Sequence, residues 1–181
     1  MELIGTNRIE SERLILRRFE IVDAEELFAG YINQPEFLYY ANKEPQTLDG
    51  VKSYLNHVTQ KYNDGEYFNW VITQREDGKI VGAINLKPNH EDDSVMFSYA
   101  IDNRFTGKGY MTEALTKVKE YALDKLKVSR FVGGCVTKNI ASKKVMEKCG
   151  LKHEKTIKNY KTLSDGVFDM FFYSVSPNKK Q

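Results

Sequence analysis

A mixed α/β fold, with helices laid over a sheet, is predicted for this chain from three features. Strand-like and helix-like runs are interspersed along its length. A meander of three strand-like runs within residues 67–101 gives way to an amphipathic stretch from Met111 to Leu126, where the apolar period changes from two residues to about 3.6. No repeat, low-complexity segment or Pro/Gly/Ser-rich linker divides the 181 residues, so 1–181 reads as one domain.

The order of elements reads β–α–α–β–β–β–α–β–α–β–β. Leu14-Ile15-Leu16-Arg17-Arg18-Phe19 is a first strand, and Asp23 is placed to cap a helix from Ala24 to Tyr31. A second helix runs from about Asp49 to Tyr62 and stops at Asn63-Asp64-Gly65. Tyr67–Gln74 and Lys79–Leu86 form strands joined by the hairpin signal Glu76-Asp77-Gly78, followed by the aromatic and β-branched strand Ser94–Ile101. Met111, Ala114, Leu115, Val118, Ala122 and Leu126 recur at helical spacing, so one face of that helix is buried. Arg130–Val136 is a buried strand, and Val145, Met146 and Cys149 mark one face of a short helix stopped by Gly150. Two strands, about Lys152–Tyr160 and Val167–Val175, follow around a loop containing Asp165-Gly166.

Composition excludes several function classes. Apolar residues make up 41% and charged residues 29%, which suits neither a disordered nor a membrane-embedded chain. No run approaches the ~20 apolar residues of a membrane span, and Met1–Ser11 lacks the apolar stretch of a signal peptide. Cys135 and Cys149 are too few for a disulfide framework, and no metal-ligand spacing is present. A cytoplasmic, metal-free protein is expected. The net charge of +2 argues against general nucleic-acid binding. Its distribution is uneven: residues 1–100 hold 10 basic and 17 acidic residues, and residues 101–181 hold 17 and 8. A basic half suits a polyanionic ligand and an acidic half a cationic one.

The chemically informative segment is Arg104-Phe105-Thr106-Gly107-Lys108-Gly109-Tyr110-Met111-Thr112, between a strand and the long helix. Glycines let the backbone turn tightly and approach a ligand, and the first helical turn leaves amides unpaired at the positive end of the helix dipole. Together they suit phosphate. A Walker A loop is not matched, and in a dinucleotide G-x-G-x-x-G fingerprint Thr112 stands at the third glycine.

Arg104-x-x-Gly107-x-Gly109 matches the Q/R-x-x-G-x-G/A signature of GCN5-related N-acetyltransferases (GNAT), and the chain resembles that family. Gly107-Lys108-Gly109-Tyr110-Met111-Thr112-Glu113-Ala114-Leu115 looks like its RimJ/RimL branch, named for ribosomal-protein N-terminal acetylation. A second block, Asn139 to Leu151, is similar to that branch's N-x-x-S-x-x-V-x-x-K-x-G-F, with Leu151 in place of the aromatic. The start Ser11-Glu12-Arg13-Leu14-Ile15-Leu16-Arg17 and the late Asp165-Gly166 are also typical, so the resemblance spans nearly the whole chain.

The resemblance implies a GNAT fold: a central, mostly antiparallel sheet of about six or seven strands flanked by about four helices, with a splayed V between the fourth and fifth strands. It implies acetyl-CoA as co-substrate, with no metal. Main-chain groups of Tyr99, Ala100 and Ile101 would pair with the pantetheine arm, and an N–H there would stabilise the oxyanion formed when an amine attacks the thioester. The amides of Arg104, Gly107, Lys108, Gly109, Tyr110, Met111 and Thr112 would hold the pyrophosphate, with charge from Arg104 and Lys108. Asn139 would bond the pantetheine arm, cap a helix, or both; Ser142, one turn on, would bond the cofactor or protonate the departing thiolate.

The general base is a gap, because Met96 stands where the family often carries a Glu. His90, Glu91, Asp92 and Asp93 nearby read as a solvated turn. The acceptor pocket would come from the first two helices and the Asn159–Val167 hairpin. Tyr31, Phe37, Tyr39, Tyr40, Tyr67, Phe68 and Trp70 offer aromatic faces there, most of them core. A peptide N-terminus, a polyamine and an aminoglycoside all suit as amine acceptor. The competing reading is a non-catalytic acyl-CoA-binding module of the same fold. Homodimers are frequent in the family, although no segment here argues for one.

Overall fold

The computed structural model describes residues 1–177. One eight-stranded sheet has the order β1-β2-β3-β4-β5-β6-β8-β7. Its strands are β1 (Ile9–Glu10), β2 (Leu14–Arg17), β3 (Phe68–Gln74), β4 (Ile80–Asn89), β5 (Ser94–Ile101), β6 (Arg130–Val136), β7 (Lys152–Leu163) and β8 (Gly166–Val175). Every neighbouring pair is antiparallel apart from β5 and β6, which run parallel. Five α-helices accompany it: α1 (Ala24–Ala29), α2 (Pro35–Ala41), α3 (Leu48–Lys61), α4 (Tyr110–Asp124) and α5 (Ile140–Lys148).

The predicted mixed, mostly antiparallel architecture is present, with one more strand and one more helix than expected. The extra strand is β1, whose two residues are too short for any periodicity to show. The extra helix, α2, starts on a proline at its first position and ends at Asn42 in the left-handed conformation, φ 54°. It carries no fully buried residue, so it lacks the apolar stripe by which a helix is read from sequence.

Asp23 also differs from expectation. It makes no side-chain cap on α1. Its carboxylate accepts from the Glu20 amide at 2.8 Å and forms a bidentate pair with Arg17 at 2.7 and 2.8 Å. Asp23 sits in a 3-10 turn, Ile21–Asp23, that precedes α1, so its side chain closes that turn instead.

The sheet separates two cores. On one face Leu115, Val118 and Ala122 of α4 and Met146 of α5 pack against Trp70, Phe97 and Phe131. On the other, Leu27 of α1 and Val51, Leu55 and Val58 of α3 pack against Val71 and Ile80. Burying each of the Leu, Val, Ile and Met side chains among these contributes about 1.5–3 kcal/mol. Among the described residues no helix is long and apolar enough to cross a membrane, and no group of three or more metal-ligating side chains forms.

Candidate acetyl-donor and acceptor site

The site begins where β5 and β6 part. Their register runs from Ser94 opposite Arg130 to Phe97 opposite Gly133 and then ends. The cause is local. Phe97 stacks on Phe131 with ring centres 4.6 Å apart, and its ring fills the space beside Gly133, where an added Cβ would lie 2.0 Å from it. The ring acts as a wedge, and Ser98–Ile101 and Gly134–Val136 diverge beyond it. Their main-chain groups are left facing a cavity of about 780 Å³.

One end of the cavity is a loop built for an anion. Asp102, 1% exposed, closes a 3-10 turn at Asn103–Phe105. It accepts from the Arg104 amide at 2.9 Å, from the Arg104 guanidinium at 3.0 and 2.7 Å, and from Gln34 at 3.0 Å. Burial lifts the Asp102 carboxyl, but the Arg104 and Gln34 hydrogen bonds outweigh it and hold the group below its ordinary range. Gly107 and Gly109 follow with φ of 74° and 82°, left-handed values that favour glycine, and Gly109 caps α4. Among the described residues the amides of Gly107, Lys108 and Gly109 have no protein acceptor. Those of Tyr110, Met111 and Thr112 lie in the first helical turn, where no intrahelical partner exists.

This loop is clamped from behind. Arg13 donates to the Lys108 carbonyl at 3.0 Å and to Glu113 at 2.7 Å, and lies 4.5 Å over the Tyr110 ring. Glu113 also accepts from Ser11 at 2.7 Å and from the Arg13 amide at 2.9 Å. The Ser11-Glu12-Arg13 start, read above only as typical of a branch, therefore holds the Gly107–Gly109 turn in place. Sequence reasoning missed that link because the partners are about a hundred residues apart.

Ten of the expected site residues border the cavity: Tyr99, Ala100, Ile101, Gly107, Gly109, Tyr110, Met111, Thr112, Asn139 and Ser142. Arg104 and Lys108 are not among its lining residues. Arg104 is spent on Asp102, while Lys108 lies 5.4 Å from the Phe105 ring. Lys144 and Lys148 of α5, one turn apart, do border it. Asn139 accepts from the Ser142 amide at 2.9 Å, so its cap role is realised.

At the fork, the Tyr99 hydroxyl lies 2.8 Å from that of Ser142. Burial pushes the Tyr99 phenol up, only partly offset by this bond, so it stays protonated. Cys135 borders the same space, and burial pushes its thiol up to about 11, which keeps it neutral and poorly nucleophilic.

The other end is lined by α2, one residue of α3, the middle of β4 and β5, and the β7–β8 hairpin, with Phe37, Tyr40, Tyr54, Asn85, Ser98 and Tyr160 among its side chains. Tyr31 contributes to this wall, whereas Phe68 and Trp70 are core at 1% and 0% exposure. Met96 is 45% exposed and outside the lining. Among the described residues, the one carboxylate in the lining is Glu36.

The splayed β5–β6 pair accords with the expected fold, and the family model for the acetyltransferase (GNAT) domain matches residues 13–152. The chain belongs to the GNAT family. It is an acetyl-CoA-dependent N-acetyltransferase. An uncharacterised N-acetyltransferase of Bacillus subtilis, YoaA, is 26% identical over 170 residues, covering 92% of this chain and 95% of that protein. Among solved structures, the ribosomal-protein-S5-alanine acetyltransferase of Vibrio fischeri superposes with a TM-score of 0.81 at 19% identity, covering 97% and 99% of the two chains. The spermidine N-acetyltransferase of Vibrio cholerae, in complex with CoA and spermine, gives 0.79 at 18% identity, covering 93% and 98%. Two proteins named for different acceptors thus share this fold.

Proposed function

We propose that this GNAT enzyme acetylates a primary amine, of a peptide N-terminus or a small molecule, by direct attack on acetyl-CoA in a ternary complex. The observation that carries this reading is the opened β5–β6 fork, joined at one end to unpaired amides and at the other to an aromatic pocket. Pantetheine lies in the fork against the main chain of Tyr99 to Ile101, and the pyrophosphate sits on the amides of Gly107 to Thr112. The Asn139 side-chain amide, its oxygen occupied by the cap, donates to the pantetheine arm.

The amine nitrogen bonds to the thioester carbon, a main-chain N–H of the fork stabilises the oxyanion, and the C–S bond then breaks. The sulfur takes its proton from the Tyr99–Ser142 hydroxyl pair, which regains one from water in the cavity, and the amine loses one to water in the acceptor pocket. A phenol is the stronger acid of the two hydroxyls, so Tyr99 is the donor and Ser142 its positioning partner. The neutral Cys135 thiol argues for direct attack over an acetyl-cysteine intermediate.

The experiment is a thiol-release assay on an amine panel with wild type, Tyr99→Phe and Ser142→Ala. We expect kcat to fall on the order of 100-fold in Tyr99→Phe and by a smaller factor in Ser142→Ala, with acetyl-CoA affinity kept. An unchanged rate in Tyr99→Phe removes it as proton donor; wild type that turns over no amine while binding acetyl-CoA supports the non-catalytic module.

A further inference from the structure

Counted along the chain, acidic residues dominate positions 1–100; counted around the cavity, they do not. The acceptor end holds Glu36 of α2 as its carboxylate, with Lys43 just beyond α2 and Lys161 on β7. Lys161 is brought there by a break in the strand. β7 slips its register against β8 between Ile157 and Lys161, where Asn159 is left-handed at φ 52° and its amide donates to Asp169 at 2.9 Å. On a regular strand Tyr160 and Lys161 would face opposite sides; across this bulge both border the cavity.

The nearby carboxylates of the hairpin are already engaged. Asp165 accepts from Tyr39 and from Lys138, the latter at 2.9 Å, and Asp169 accepts from Asn159. Among the described residues, Lys43 and Lys161 have no carboxylate within ion-pair distance. Two unpaired ammonium groups beside one carboxylate repel a polycation and attract an anion, the half-buried Lys161 more strongly than the exposed Lys43.

We propose that the acceptor is a primary amine that carries a nearby anionic group, a carboxylate or a phosphate. Lys161, with Lys43, engages that group, while the amine passes the faces of Phe37 and Tyr40 toward the thioester. Glu36 attracts the ammonium before it loses its proton. The inference rests on the acetyl-transfer reading and reverses the acceptor charge that the acidic first half of the chain suggests.

The test compares kcat/KM for Ser-Glu-Glu, Ser-Gln-Gln and Ser-Lys-Lys tripeptide amides and for spermidine, on wild type, Lys161→Met and Lys161→Glu. Free glycine and phosphoethanolamine separate carboxylate from phosphate. Calorimetry of the same acceptors against the CoA-saturated protein scores the preference independently of turnover. Wild type should favour the acidic over the basic peptide by at least about fivefold, Lys161→Met should flatten the difference, and Lys161→Glu should reverse it. Equal or reversed preference in wild type, a preference unmoved by Lys161→Glu, or no binding of any acceptor overturns the proposal. A protein that does not bind acetyl-CoA contradicts the acetyl-transfer reading instead.

Discussion

The two ends of the cavity are made in different ways. The proposed donor end uses main chain: two left-handed glycines, the first turn of α4, and strand edges bared where β5 leaves β6. The acceptor end uses side chains from α2, β4, β5 and the β7–β8 hairpin, set by a bulge and by long-range contacts such as Tyr39 with Asp165. A backbone site is indifferent to most substitutions but intolerant of a change in backbone path. A side-chain site can be retuned one residue at a time without losing the cofactor.

The contrast is broken most severely at its hinge. In Gly133→Val the new side chain meets the Phe97 ring, 2.0 Å from the Cβ position. Overpacking of this kind costs about 1–3 kcal/mol of stability, and acetyl-CoA binding should vanish as the fork changes shape. Thermal melting with calorimetry checks both; a folded variant with wild-type affinity removes the wedge from the account.

A smaller effect is expected behind the loop. Glu113→Gln keeps the shape but removes the charge that holds Arg13, so KM for acetyl-CoA should rise ~tenfold with kcat nearly constant. An equal fall in kcat would show that the clamp acts on the chemistry instead. The same residue predicts a pH response. Burial raises the Glu113 carboxyl, but bonds from the Arg13 amide, Ser11 and the Arg13 guanidinium outweigh it, so it titrates below its ordinary value of 4.5. The folded pKa is depressed, so its stabilisation is complete above 4.5 and is lost as pH falls through the folded value. Melting temperatures followed down to about pH 3 should fall less steeply in Glu113→Gln than in wild type; parallel curves would contradict the assignment.

The smallest effect concerns Met96. Restoring a carboxylate with Met96→Glu should leave kcat within about twofold, because the position is 45% exposed and outside the lining. A large gain in rate would show that the acceptor end reaches further along β5 than the cavity does.

How far the sequence could be read follows the same division. Arg104-x-x-Gly107-x-Gly109 and the Asn139–Leu151 block are local, so their spacing pointed to the segments that border one end of the cavity, and β5 and β6 were bounded as observed. Sequence reading did not anticipate that Arg104 serves Asp102 or that Arg13 reaches Glu113, since both depend on packing across the fold. At the acceptor end α2 has no buried stripe and the bulge at Asn159 leaves no periodic mark. The charge excess of residues 1–100 did not foretell the lining, where among the described residues Glu36 is the one carboxylate from that half.

The most direct test of the backbone-built donor site is calorimetric titration of acetyl-CoA into wild type and Gly107→Val, with ATP and NAD as controls. A Cβ at Gly107 meets nothing within 4 Å, so the substitution strains the φ of 74° without a steric clash. Wild type should bind acetyl-CoA selectively with micromolar affinity, and the folded variant should lose on the order of tenfold or more. No binding by wild type, or full affinity in Gly107→Val, would contradict it.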